Sequence, residues 1–401
     1  MLFKPNKKII VILLTVITLF VTIPGCSASG KQLLENTAPA ATQSSITVTF
    51  AGDIMTHGPQ IRSALQPSTG TYNFNPVFKP ISSIISASDF SIANLETTCA
   101  GKNKNYSGYP TFNSPEAILP ALKNAGFDVL TTANNHCMDR GFYGIQKTIA
   151  YLDSNKLLHT GTFADSTRKN SILYLKKNNI TLAVIACTYG TNGITVPTDK
   201  SFAVNLIDIN QIQTEIAEAR KNGADFVAVV THFGTEYQRD PNDMQKTTAQ
   251  SLANAGADMI IGSHPHVVQP IEQLIATRAD GSTGSAIVAY SLGNFISNQR
   301  DRYQDSGILL QLKLTKITGE NAANSISSLD YLPVWVRRWP SGGKNRYAVL
   351  PVNSSTISSY ALTSAEKNRI EQIPDELNEL ITKPQTPIIL SAVGVKADKT
   401  K

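Results

Sequence analysis

The chain has 401 residues, 41% of them hydrophobic and 16% charged, and a formal net charge of +6 that falls to +3 once Lys4, Lys7 and Lys8 near the start are discounted. A balance this mild, with no arginine-rich run and no basic patch interleaved with aromatics, excludes nucleic acid as a partner. No internal repeat is evident, and a single domain of about 300 residues buries ample core.

The three lysines precede an apolar run from Ile9 to Ile23 and then Pro24-Gly25-Cys26. A basic segment, an apolar run too short for a comfortable membrane span and a small residue before the break point mark residues 1–25 as a secretory signal. Ile23-Pro24-Gly25-Cys26 resembles a bacterial lipobox, whose cysteine carries the lipid, although Pro24 departs from the small residue usual there. The expectation is a protein lipid-anchored through Cys26 on the extracytoplasmic face of the cell membrane; the alternative, an uncleaved anchor helix, gives the same side. Residues 26–45, rich in Ser, Ala, Thr and Gln, read as a flexible linker.

From residue 46 onward, short runs rich in β-branched residues (46–51, 90–93, 127–133, 225–230, 258–261 and 286–291) alternate with helix-like segments (76–88, 114–125, 141–155, 209–222 and 242–255). Ser114-Pro115 suits an N-cap and first helical position. Gly126, Gly223 and Gly256 stand where helices should stop. The alternation predicts a largely parallel α/β sheet. Residues 171–187 read instead as a hairpin around Lys176-Lys177-Asn178-Asn179, which suggests two βα halves joined through antiparallel strands, with a sheet-on-sheet core. Beyond about residue 307 the runs 308–314, 330–336 and 346–350 predict antiparallel strands closing the domain edge; residues 364–382 predict one amphipathic helix, and the last dozen a frayed tail. The divisions are therefore a body over 46–300, completing strands over 301–352, and a helix and tail over 353–401.

Five of the six histidines fall inside four short polar motifs, each following an apolar run. These are Gly52-Asp53-Ile54-Met55-Thr56-His57, Asn134-Asn135-His136, Thr231-His232-Phe233-Gly234-Thr235-Glu236 and Gly262-Ser263-His264-Pro265-His266; Asn94-Leu95-Glu96 is a fifth motif without histidine. The carboxyl ends of strands in an open α/β sheet face one crevice, so residues far apart in sequence can converge there. Aspartate, glutamate, asparagine and neutral imidazole together form a ligand set for a divalent ion. A single histidine at a strand end, such as His57 or His159, reads more simply as a hydrogen-bonded structural residue. Asp53, Asn135, His136, His232, His264 and His266 in combination do not. In an extended His264-Pro265-His266 the two imidazoles would point the same way, with proline stiffening the segment. Cys99 lies three residues after Glu96 and Cys137 follows His136, so a disulfide between them is a further expectation.

With these motifs laid out, the chain resembles the CapA family, also called PgsA, of poly-γ-glutamate capsule proteins, whose domain looks like a calcineurin-type metallophosphatase. The resemblance covers residues 46–300 and is carried by Phe50-Ala51-Gly52-Asp53, Ala93-Asn94-Leu95-Glu96, Asn134-Asn135-His136 with Asp139 and Gly141, His232 with Glu236, Gly262-Ser263-His264-Pro265-His266 and Asn294. It implies a layered α/β/β/α sandwich with a C-terminal β extension. It also implies one or two divalent ions (Mn, Zn or Fe) bound by Asp53, Glu96, Asn135, His232, His264 and His266, with His136 as the catalytic histidine. His57, Asn94, Asp139, Glu236 and Asn294 then surround the site and orient imidazoles or meet substrate; Asp139 could equally cap the helix beginning near Gly141, and Asn294 could hold a turn.

Two departures stand out. Met55 occupies the place of a histidine two residues after the first aspartate, with His57 two further along, and Glu96 stands for a bridging aspartate. They imply a first metal position, joined by Asp53 and Glu96, weaker than a second held by Asn135, His232 and His264. The implied function is an extracytoplasmic, membrane-tethered metal-dependent hydrolase or transferase in poly-γ-glutamate synthesis or export, its cationic cleft suited to an anionic polymer. Two alternatives stay open: a non-catalytic polymer-binding subunit that contacts a membrane capsule synthase, and a phosphoesterase for a phosphate-bearing substrate.

Overall fold

The computed structural model describes residues 41–381 and 390–392, apart from 170, 280, 320 and 321. The expected signal, the Cys26 lipid site and most of the linker lie outside the described residues.

Alternation along the strands decides the layers. In the strand Thr42–Ile54, Ile46, Val48 and Phe50 share one core cluster with Leu182, Val184 and Ala186 of Ile180–Thr188 and with Phe226, Ala228 and Val230 of Phe226–His232. Side chains two apart point to one face, so this cluster is the interior between two sheets packed face to face. The other faces are covered by helices. Ala51, Ile54, Ala93 and Leu95 meet Phe78, Ile85, Ile118 and Leu122 on one side, while Ala183, Ile185, Val227 and Val229 meet Ile212, Ile216, Ala249 and Leu252 on the other. Each of the larger buried side chains contributes about 1.5–3 kcal/mol through removal from water, and the result is the expected α/β/β/α sandwich.

Among the described residues, nine strands form the first sheet, in the order Lys344–Pro351, Ala323–Ser341, Ser306–Thr318, Thr42–Ile54, Phe90–Leu95, Val129–Thr131, Leu158–Thr160, with Asn294–Ile296 added to Thr42–Ile54 and Leu390–Ala392 to Ala323–Ser341. The second runs Ile271–Thr277, Thr283–Ala289, Met259–Ser263, Phe226–His232, Ile180–Thr188, Leu173–Lys177. Its four inner strands are parallel and its two outer strands antiparallel to their neighbours, the latter including the expected hairpin.

Several expectations give way. The segment 76–88 is two single turns, Asn75–Phe78 and Ser82–Ile85, because Pro80 between them has no N–H to continue the ladder. The helix expected from Ser114 starts at Ile118; the Ser114 hydroxyl instead bonds those of Thr97 (2.7 Å) and Thr56 in the interior. The strand beginning at Thr42 takes up the end of the expected linker, since Thr42–Ser45 pair with residues 315–318. Ser306–Thr318 lies mid-sheet beside Thr42–Ile54 instead of closing an edge, and within the expected tail Leu390–Ala392 pairs with Ala323–Ser341. Cys99 and Cys137 are free thiols buried in separate clusters, so the expected disulfide is not formed.

Candidate metal centre

The strand ends deliver the motifs to one place. Asp53 stands near the end of Thr42–Ile54, Glu96 one residue past Phe90–Leu95, Asn135 and His136 in the loop after Val129–Thr131, His232 at the last position of Phe226–His232, and His264 and His266 just past Met259–Ser263. All are carboxyl ends of parallel strands, three from the first sheet and two from the second, so the centre straddles the two halves of the sandwich.

Glu96 lies at the middle. It is fully buried, its Oε1 is 3.5 Å from His232 Nε2 and 3.7 Å from His266 Nε2, and neither carboxylate oxygen has a hydrogen-bond partner among the described residues. Burial first, and then the charge of Asp53, hold its carboxyl well above the ordinary range. It shares one group of potential donors with His232 and His264, and a second with Asp53 and His266. Asn135 adds an amide oxygen to the former, with Oδ1 3.0 Å from His232 Nε2. Asp53 accepts hydrogen bonds from Asn94 Nδ2 (2.8 Å), His266 Nδ1 (2.9 Å) and the His264 backbone N–H (3.3 Å).

Burial, followed by neighbouring imidazoles, pushes His232 well below its usual value and His264 down to about 3, so both rings are neutral, the form that ligates metal. His264 Nδ1 is buried without a partner. Two carboxylate oxygens without donors, an unpartnered imidazole nitrogen and two donor groups sharing one carboxylate form a set that a divalent cation satisfies. Left empty, such buried atoms cost about 1–3 kcal/mol each. The residues present therefore fit the group.

His264-Pro265-His266 is not extended as expected. His264 has φ 100° and His266 φ 58°, a region costing of order 1–3 kcal/mol outside glycine. The two rings still converge, their centres 5.9 Å apart, because the turn folds back on Asp53 and Asn294. Asn294 holds this turn, donating from Nδ2 to the His266 carbonyl (3.2 Å) and the Gln304 carbonyl (2.8 Å).

His136 stands beside the donor groups and outside them. Its Nδ1 is 2.8 Å from Asp139 Oδ2, and the Phe112 ring meets it edge-on with centres 4.6 Å apart. Asp139 therefore holds the imidazole and does not cap the following helix, whose N-cap is Arg140. His57 lies behind Phe112, centres 5.2 Å apart, and accepts from the Asn298 backbone through Nδ1; burial takes it down to about 4, and it joins neither group. Met55 is buried.

The sequence reading passed over three orienting residues. Ser263 Oγ lies 2.9 Å from His232 Nδ1, Asn134 Nδ2 donates to the Leu95 carbonyl at 2.8 Å while its Oδ1 accepts from the His136 backbone, and the Tyr189 ring packs over His264 with centres 4.7 Å apart. Ser263 and Asn134 stand inside motifs already singled out. Tyr189 lies just past Ile180–Thr188, the one central strand of the second sheet whose end carried no motif.

The family described as bacterial capsule synthesis protein PGA_cap matches residues 47–299. The chain belongs to that family. The PGA_cap match spans every donor from Asp53 to His266 and ends before the strand Ser306–Thr318. The PGA biosynthesis protein CapA of Bacillus subtilis (strain 168) is 33% identical over 283 residues, 68% of this chain and 68% of that protein. The capsule biosynthesis protein CapA of Bacillus anthracis is 28% identical over 316 residues, 76% of this chain and 72% of that one. Among solved structures, the calcineurin-like phosphoesterase YfkN from Bacillus subtilis aligns with 85% of this chain and 100% of its own at 14% identity and TM-score 0.42. The NAD nucleotidase of Haemophilus influenzae aligns with 88% of this chain and 64% of its own at 12% identity and TM-score 0.45.

Proposed function

We propose that this PGA_cap protein is a metal-dependent hydrolase or transferase that acts on the anionic polymer poly-γ-glutamate during capsule synthesis or export, held by a lipid on Cys26 at the extracytoplasmic face of the cell membrane. The names of the relatives support the setting, and the signal-like start supports the location. The observation that carries the chemistry is Glu96, a buried carboxylate without hydrogen-bond donors shared between two donor groups.

Asn135, His232 and His264 would hold one divalent ion and Asp53 and His266 another, with Glu96 between them; the mixture of imidazole and oxygen donors suits Mn, Zn or Fe. Bound there, such ions supply Lewis acidity, offsetting charge at the attacked centre and making a nucleophilic water available near neutral pH. His136 stands outside the donor groups with Nδ1 committed to Asp139, which leaves Nε2 to exchange the proton with the leaving group. Ser263 orients the His232 ring from the opposite side.

The test is a paired one on purified protein and in cells. His136→Ala should lower turnover by about 10²–10⁴-fold while metal content stays at the parent level; His264→Ala should lose metal and activity together. Activity on phosphodiesters with none on γ-glutamyl substrates would favour the phosphoesterase reading. Full activity and full polymer production in His136→Ala would overturn the enzymatic reading in favour of a non-catalytic subunit contacting a membrane capsule synthase.

A further inference from the structure

We infer that Glu236 is itself a metal ligand, completing the coordination of the ion held by Asp53, Glu96 and His266. The inference rests on the metal-dependent reading above and extends its donor set by one residue.

Three fixed points place the side chain. The strand Phe226–His232 ends on a donor, and Gly234, at φ 113°, turns the chain tightly against Gln245, whose side chain would lie 2.7 Å from any Cβ there. Tyr237, at φ 66°, then donates its backbone N–H to the Pro265 carbonyl at 2.7 Å, fastening this loop to the turn that carries His264 and His266. Between these anchors the half-buried Glu236 carboxylate falls into one group with His264 and His266, the ligand atoms all within 4.8 Å of one another. His264, which stands in that group and also beside the other ion position, carries a buried, unpartnered Nδ1, a sign that the wall between the two is built for a cation.

Counting donors gives Glu236 its place. A transition ion bound by nitrogen and oxygen ligands takes at least four, one of which is water in a catalytic site, and the two ion positions here differ in how many the protein supplies. Glu96, His232 and His264 gain a fourth from Asn135 Oδ1. Asp53, Glu96 and His266 are three; among the described residues the one other carboxylate grouped with His266 is Glu236, which shares that group with His264 and not with Asp53 or Glu96, so it approaches the ion from the His264 side. Its position four residues after His232, on a loop braced at both ends, lets one motif serve both ions.

The competing role is structural. The Tyr237 hydroxyl, which accepts from Gln299 Nε2 at 3.1 Å, lies beside the Glu236 carboxylate, and a glutamate could stand there merely to hold that loop. Chelator-treated full-length protein titrated with Mn2+ alone separates the two, read by calorimetry and by elemental analysis. The parent should bind two equivalents. Glu236→Gln should keep one at parental affinity and bind the other at least about tenfold more weakly, since even changes behind the ligands cost about 10–100-fold. Tyr237→Phe should keep both. Unchanged binding of both equivalents by Glu236→Gln, or a parent that binds only one, overturns the inference and leaves the metal-dependent reading intact; a parent that binds none overturns both. If Glu236→Gln loses both equivalents, Glu236→His decides: recovery of the second equivalent by this alternative donor supports ligation, and no recovery refutes it.

Discussion

Replacing Glu96 by glutamine should stabilise the metal-free protein while destroying its response to metal. In the parent the Glu96 carboxyl lies fully buried with neither oxygen supplied with a donor, so above its unfolded-state pKa the fold must either bury a charge or hold a proton that the unfolded chain has released. Glutamine keeps the shape and removes the charge, and the recovered cost is about 1–3 kcal/mol. At roughly 1–2 °C per kcal/mol for a domain of this size, the chelated variant should melt a few degrees above the parent at pH 8. The sign of the pH dependence is an internal check. Burial and Asp53 raise the folded-state pKa of Glu96 above its ordinary 4.5, so its penalty is absent below 4.5 and grows as pH climbs towards the folded value. The advantage of the variant should therefore vanish near pH 4. Adding Mn2+ to a hundred times its Kd should stabilise the parent by about 2.7 kcal/mol and leave the variant unmoved, reversing their order. Thermal melts with and without chelator at the two pH values are the assay. A chelated variant that melts below the parent at pH 8, or that gains as much at pH 4, would refute the reasoning.

The histidines predict the opposite trend in acid. His57, held down to about 4, His264, down to about 3, and His232, well below its usual 6.5, all stay neutral in the fold chiefly because they are buried, so the unfolded chain takes up protons first. Their contribution is complete above pH 6.5 and falls away as pH drops from 6.5 towards 4 and 3; a urea midpoint for the chelated Glu96→Gln variant no lower at pH 5 than at pH 7.5 would contradict it. Gly262→Ala should cost about 1–3 kcal/mol and remove metal binding as well. The added Cβ collides with the Tyr290 carbonyl oxygen and stands 2.8 Å from the Phe233 ring, two residues before His264; parental urea midpoint and metal content together would count against it.

The donors were readable from sequence because each follows an apolar run that had to become a strand, and parallel strands end on one side. That geometry brings Asp53, Glu96, Asn135, His232, His264 and His266 to one crevice. The conformation of the His264 turn was not readable: positive φ at two histidines is held by Asn294 and Asp53 through contacts spanning 28 and 211 residues. Ser114 carries a sound local signal for a cap, overridden because its hydroxyl bonds those of Thr56 and Thr97 in a buried corner. Pro80 is a different case, a break visible in the sequence inside a segment whose apolar spacing looked continuous. The pairing of Thr42–Ile54 with Ser306–Thr318 left no local trace at all, since register between strands so far apart is decided by how the layers stack.

That pairing also sets an order of assembly. Short of its end, where Asn294–Ile296 joins it, Thr42–Ile54 has one neighbour, Phe90–Leu95, soon after it and the other, Ser306–Thr318, more than two hundred and fifty residues later. As the chain is made from its amino end, every donor from Asp53 to His266 is synthesised before the strand that closes the flank of Thr42–Ile54. Until then the backbone amides and carbonyls along that flank have no partner and invite pairing with other chains. A stop codon after His266 would thus keep every ligand in the chain and still leave Thr42–Ile54 as an open edge of the first sheet, prone to aggregate before it could hold an ion.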